Sequence, residues 1–273
     1  MLGLGVFIFI PEPISFVIDY GQYFLLGLAG AVAANSTGAG GGIVFIPAFT
    51  SLGIEGINAV GTSLAIQCFG MTAGSVSWLI SVYKHQHGGK EAVTLTNNLL
   101  IIAGLPAVFG MLSAQYLFPA PALDIETIFK YFSILFGLVL LLVTLKRTKL
   151  RHTNYSIRRR YIPLIGIVSF FGGMVTCWIS IGVGEWLAIL LFFLGYPTMI
   201  VVCVAVCISS LVVLTGVPYH IYVTNSISWQ ILVFAAPAAI IGGYFARFLA
   251  ERLGPIRLKV FFSAWILATG LTM

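Results

Sequence analysis

Apolar residues run along this chain in long blocks instead of alternating with polar ones. No Asp, Glu, Lys or Arg occurs between Asp19 and Glu55, between Glu55 and Lys84, or from Glu91 to Asp124. The same holds from Lys130 to Lys146, from Arg160 to Glu185, and from Glu185 to Arg247. A helix needs roughly 20 apolar residues to cross a bilayer, and each block holds one or more such spans. Membrane strands would show about 10 residues of alternating polarity. These blocks are apolar on every face, so the pattern predicts helices.

A first segment runs from Tyr20 to Leu52 and is interrupted at Gly38 to Gly42; helices Asn58–Tyr83, Thr96–Leu117 and Ile128–Leu145 follow. A second interrupted segment runs from Ile162 to Leu194, broken near Gly182 to Gly184, and precedes helices Thr198–Tyr222, Trp229–Ala250 and Leu258–Leu271. The two sets share a plan. Each break is followed by an apolar stretch and a turn, Leu52-Gly53 and Leu194-Gly195. The third helices carry Pro106 and Pro237, and the last open with Lys130-Tyr131-Phe132 and Lys259-Val260-Phe261. The expected organisation is an N-terminal interfacial segment (1–19), a first transmembrane repeat (20–145), a basic loop (146–161) and a second repeat (162–273). The expected fold class is all-α and polytopic, with two inverted repeats, each of one broken or re-entrant segment plus three transmembrane helices.

Charge decides the orientation. Lys146, Arg147, Lys149, Arg151, Arg158, Arg159 and Arg160 crowd one short loop, and basic short loops mark the cytoplasmic side. If each broken segment returns to the face it entered, each half crosses three more times and the second half is inverted. Every basic residue except Lys130 then shares the face of that loop, while Glu12, Asp19, Glu55, Asp124 and Glu126 take the other. A single crossing per broken segment would put the basic stretch Arg247–Lys259 outside, against the rule. Inverted repeats with broken helices are a common transporter plan.

Composition closes off other classes. Hydrophobic residues make up 59% and charged residues 8%, against about 25% charged in soluble domains, so lipid is the partner that covers this surface. The net charge of +6 belongs to the membrane-flanking loops and implies no nucleic acid. Cys68, Cys177, Cys203 and Cys207 lie in apolar stretches and read as small buried hydrophobes. The pair Cys203 and Cys207 lacks further metal ligands, as do His85 and His87 in their loop. No metal or cofactor is expected. A homodimer is compatible with the sequence, although nothing marks an interface.

The strongest chemical signal is Asn35-Ser36-Thr37-Gly38-Ala39-Gly40-Gly41-Gly42. A backbone break at membrane depth must line a cavity or be buried in protein. The helix that starts near Gly42 points unpaired N–H groups and the positive end of its dipole at the break, which suits an anion. Hydroxyls of Ser36 and Thr37 add donors. The alternative is close helix packing through small residues, which four glycines in five positions exceed. The second break offers Ser180, Gly182 and Gly184, with Glu185 where the first has glycine. An acid at membrane depth is a candidate proton carrier, or else a cap on the following helix. Thr62, Ser63 and Gln67 follow the first break; Ser209 and Ser210 follow the second.

The run Gly38-Ala39-Gly40-Gly41-Gly42-Ile43-Val44-Phe45-Ile46-Pro47, followed by Asn58-Ala59-Val60-Gly61-Thr62-Ser63, resembles the TauE/SafE family of membrane exporters. The resemblance, which extends to the two-fold repeat, implies export of sulfite or of organosulfonates such as sulfoacetate. It also implies that Gly38, Gly40, Gly41, Gly42, Thr62 and Ser63 lie near the substrate path. Glu185 and Trp186 depart from the family's second glycine-rich break. The expected function is thus a secondary transporter moving a small sulfur-containing anion by alternating access in a bacterial plasma (inner) membrane. A proton-coupled importer and an anion channel share the scaffold. An intramembrane enzyme would need clustered carboxylates, His pairs or a nucleophile with its base, and Glu185 and His220 stand alone.

Overall fold

A computed structural model describes residues 13–84, 89–118, 125–146 and 155–254, and positions 257, 260, 263, 264, 267, 268, 270 and 271. Expectations for residues 1–12, His85, His87, Asp124, the middle of the basic loop and much of the last helix lie outside the described residues.

Among the described residues the secondary structure is helical throughout: α1 (Pro13–Tyr20), α2 (Gln22–Thr37), α3 (Gly42–Ser51), α4 (Gly56–Lys84), α5 (Gly89–Tyr116), α6 (Ile125–Lys146), α7 (Ile162–Ile179), α8 (Val183–Phe193), α9 (Thr198–Tyr222) and α10 (Trp229–Leu253). Six stretches of the described residues are long and apolar enough to cross a membrane: Ile14–Thr37, Gly56–Lys84, Gly89–Tyr116, Arg159–Ile179, Thr198–Tyr222 and Trp229–Leu253. By contrast α3, with 10 residues, is about 15 Å long and falls short of a roughly 30 Å hydrocarbon core. The 11 residues of α8 fall short in the same way. This is the architecture of a polytopic membrane protein.

The halves repeat at a spacing of 142 residues. Starts of α4 and α9 (56 and 198), helix-ending positions of α2 and α7 (38 and 180) and turn glycines (53 and 195) all differ by that number. Both α2 and α7 stop on a residue in the left-handed region. Gly38 has φ 81° and donates its N–H to Ala34 O at 3.0 Å. Ser180 has φ 59° and donates to Thr176 O at 3.0 Å. A non-glycine residue there costs on the order of 1–3 kcal/mol and needs surrounding contacts to hold it.

Contacts give the helix directions. Gly70 of α4 lies against Ala31 of α2 and Ala239 of α10, and Gly74 lies against Asn35. Gly243 meets Gly70 and Asn35, and Gly27 meets Ala235. Residue numbers rise together, so α2, α4 and α10 run parallel. In the other set Gly110 lies against Phe170, Trp178 Nε1 donates to Phe118 O, and Gln115 Nε2 donates to Gly216 O. So α5, α7 and α9 run parallel too. Across the centre the order reverses: Thr72 meets Ser210, while Ser75 Oγ donates to Val206 O. Hence α4 and α9, equivalent helices of the two halves, are antiparallel. The halves also interlock. The third long helix of each packs on the first segment of the other, α10 on α2 and α5 on α7. Small residues permit this approach, as expected where lipid supplies no hydrophobic drive: a Cβ on Gly243 would stand 2.1 Å from the Gly70 carbonyl oxygen, and one on Gly110 would stand 1.9 Å from that of Phe170.

Short helix α3 runs from the level of Gln67 back to the face where α4 begins, because Gly41 N–H bonds Gln67 and a short turn joins Ser51 to Gly56. The segment α2–α3 is therefore re-entrant, and α7–α8 repeats it. With these directions Lys84, Lys90, Arg158 and Arg252 lie at one face, and Asp19 and Glu55 at the other. Single cysteines at Lys90 and Arg252, both exposed, should react with an impermeant maleimide from the same side of the membrane. One at Glu55 should react from the opposite side. Arg252 and Glu55 labelled from one side would overturn the antiparallel arrangement.

One basic residue departs from expectation. The charge pattern groups Arg247 with the basic stretch Arg247–Lys259 at the membrane face. The structure puts it inside α10, 7% exposed, with Nη1 on Glu251 Oε1 at 2.7 Å and Nε on Ser77 Oγ at 3.2 Å. Pairing one turn along its own helix makes this burial tolerable.

Candidate functional site

The two breaks meet in the middle of the bundle. Gln67 lies 11 residues from the start of α4 and 17 from its end, about 17 Å and 26 Å along the axis. Ser209 lies 11 and 13 residues from the ends of α9. Between them the backbones touch. A Cβ on Gly40 would stand 2.3 Å from Gly182 N, and one on Gly182 would stand 2.8 Å from Gly40 Cα. Similarly a Cβ on Gly42 would lie 2.0 Å from Ser180 O, and one on Gly184 2.4 Å from Gly38 O. The pairs 42/180 and 184/38 are one contact seen twice, related by the repeat. Glycine is required here because any side chain would drive the breaks apart.

Polar groups converge on the same place. Gly41 N–H donates to Gln67 Oε1 at 2.8 Å, and Gly184 N–H donates to Ser209 Oγ at 2.9 Å. Positions 67 and 209 are again 142 apart, so each half uses its first uninterrupted helix to cap its own short helix. Gln67 Nε2 donates to Ser63 Oγ at 3.1 Å and to Ser180 Oγ at 2.9 Å, and the Ser180 hydroxyl donates to Ser63 Oγ at 2.8 Å. These bonds hold Ser180 in its left-handed conformation. A further link between the halves involves a charged side chain: Gly40 N–H donates to Glu185 Oε1 at 2.8 Å. Glu185 is 2% exposed, and its second oxygen, Oε2, has no hydrogen-bond partner.

Two sequence expectations change. The amides of the first break were expected to point unpaired at the break; here Gly40 and Gly41 are bonded to Glu185 and Gln67. Capping satisfies donors that a closed, dry site would otherwise leave stranded. Nor do all expected hydroxyls join the cluster. Thr62 Oγ1 accepts from Ser228 N–H, Thr37 Oγ1 donates to Ala33 O, and Ser36 Oγ also donates to Ala33 O. Asn35 Nδ2 donates to Ala31 O, while Asn35 Oδ1 is buried and unpartnered. Asn35, Gly41, Gln67 and Gly70 line a narrow crevice below the break. The residues brought together are Gly38, Gly40, Gly41, Gly42, Ser63, Gln67, Ser180, Gly182, Gly184, Glu185 and Ser209. A residue that the pattern did not single out is Trp78, whose Nε1 donates to the backbone carbonyl of Asn35 at 2.8 Å. It occupies a carbonyl left over at the end of α2. A tryptophan inside a helix reads as packing, so only its placement six residues before the end of a polar-bearing helix hinted at more.

The arrangement offers backbone amides, hydroxyls and one carboxamide, with no basic side chain in the cluster. Any oxyanion seated here would take over acceptor positions now held by Gln67, Ser209 or Glu185.

A search of curated proteins finds no match, and neither does a search of solved structures. A family model does match, over residues 23–273: that of the sulfite exporter TauE/SafE. The match takes in both breaks, every helix from α2 to α10 and the whole polar cluster, and the chain belongs to the TauE/SafE family of membrane transporters for sulfite and organosulfonates.

Proposed function

We propose that the protein is a secondary transporter that exports sulfite or an organosulfonate such as sulfoacetate by alternating access, the anion being held at the N-termini of α3 and α8. The observation that carries this reading is the convergence of the Gly40, Gly41 and Gly184 amides with Ser63, Ser180 and Ser209 at mid-length of the bundle. Helix N-termini with amide and hydroxyl donors recognise anions without a cation. The basic face is taken as cytoplasmic. An inside-negative potential favours outward movement of an anion by about 2.3 kcal/mol per charge per 100 mV, so export requires no ATP-driven component. Glu185 supports a second reading, proton-coupled anion import, in which the carboxyl carries the coupled proton.

Purified protein in proteoliposomes should move sulfite or sulfoacetate saturably, with sulfate and taurine as comparison solutes. Gly41→Leu should lose that flux, since a Cβ there already lies 2.7 Å from the Phe45 ring and 2.9 Å from Gln67 Cγ. Flux of none of the four solutes would remove the sulfur-anion assignment. Import driven only by an inward proton gradient would favour the second reading.

A further inference from the structure

Glu185 has no counterpart in the first half. Subtracting the repeat spacing of 142 gives Ile43, an apolar residue, and not the glycine that the sequence pattern set opposite Glu185. The carboxyl nevertheless reaches from α8 across the pseudo-symmetry and takes the Gly40 N–H. Gly40 sits just before α3, where the dipole and the amide would otherwise receive a ligand oxygen. The other carboxyl oxygen of Glu185, Oε2, is buried and has no hydrogen-bond partner among the described residues. Buried polar groups are nearly always paired, and an unpaired one calls for a reason. A carboxyl is also the side-chain group closest in form to a sulfonate edge: planar or pyramidal oxygens on one centre, accepting from backbone N–H.

We propose that the Glu185 carboxyl is a tethered occupant of the anion site, holding the Gly40 amide in the closed protein and surrendering it when a substrate oxyanion arrives. This rests on the anion-transport reading above. It adds that substrate binding is a displacement within the protein: one hydrogen bond, Gly40 N–H to Glu185 Oε1, is exchanged for Gly40 N–H to a substrate oxygen. No covalent bond changes. The tether keeps the break ordered when no anion is bound, and it sets a threshold that weak or singly coordinating anions do not pass.

A site that is occupied by its own side chain nine-tenths of the time shows an apparent Kd raised about tenfold. Removing the carboxyl should therefore tighten binding. The test compares wild type, Glu185→Ala and Glu185→Gln, each first shown to be monodisperse and to retain its thermal transition in detergent. Sulfite and sulfoacetate are titrated by calorimetry, and hydrogen exchange is followed in peptides covering residues 38–42. Without any anion, exchange at Gly40 should quicken in Glu185→Ala. Sulfite or sulfoacetate should then bind about tenfold more tightly than to wild type and restore protection. Glu185→Gln, which keeps an acceptor and loses the charge, should fall between. Unchanged or weaker affinity in both folded variants, with binding by wild type intact, would overturn the tether and leave the transport reading standing. Quickened exchange with no anion bound by any of the three proteins would overturn both.

Discussion

Gly40→Ala should cut anion flux by about a hundredfold or more while the protein still folds and inserts. The added Cβ would stand 2.3 Å from Gly182 N and 2.6 Å from Gly182 Cα. Both are backbone atoms, so no side chain can swing aside, and the two breaks must separate. Separation moves the Gly40 and Gly41 amides relative to Ser180, Gln67 and Ser209. Displacements of about 1 Å at a positioned site are worth around a hundredfold in rate. The cost in stability is about 1–3 kcal/mol for an overpacked position. Gly104→Ala is the control: its Cβ would meet Leu211 Cδ2 at 3.5 Å, an ordinary contact, and flux should match wild type. Wild-type flux in Gly40→Ala would show that the breaks do not form the site.

A disulfide across the centre should stop transport reversibly. Ser63 and Ser180 hydroxyls lie 2.8 Å apart, with α4 in one half and the second break in the other. The test protein is Ser63→Cys/Ser180→Cys with Cys68, Cys177, Cys203 and Cys207 replaced. Sulfur atoms bond at about 2.05 Å, so side chains already aimed at each other need only a small shift. If the halves part during transport, oxidation should lower flux at least tenfold, and reductant should restore it. Neither single cysteine variant should respond to oxidant. Full flux through the cross-linked protein would mean that the two breaks stay together during the cycle, which would sink alternating access at this site.

Much of this was legible in the chain because lipid leaves few choices. Charge-free blocks must be helices, and a glycine-rich break inside one must be covered by protein. Basic and acidic residues then sort to opposite faces, and the re-entrant segments follow. Other features were hidden for physical reasons. Polarity marks the edge of the hydrocarbon slab, whereas hydrogen bonding decides where a helix stops. So α5 starts at Gly89 rather than Thr96, carrying Lys90 and Glu91 beyond the slab. Thr62 and Ser63 look equally suited to the site, yet neighbours on a helix point about 100° apart. Only one can face the break, and the sequence does not state the helix phase. Ser63 joins the cluster, while Thr62 bonds Ser228. Arg247 shows the converse: its partner Glu251 sits one turn along, a spacing that sequence offers at the surface as readily as in the core.

The mismatch between Glu185 and Ile43 has a consequence for the working cycle. In a transporter made of two identical inverted halves, the inward-open and outward-open forms are the same object seen from opposite sides, and they are equal in energy. A single residue without a counterpart lifts that degeneracy. The conformer in which α8 can reach Gly40 gains a bond that its mirror form cannot make. On the alternating-access reading proposed above, the Gly40–Glu185 bond would favour whichever form makes it, and the carboxyl would bias a nearly symmetric machine toward one state of its cycle.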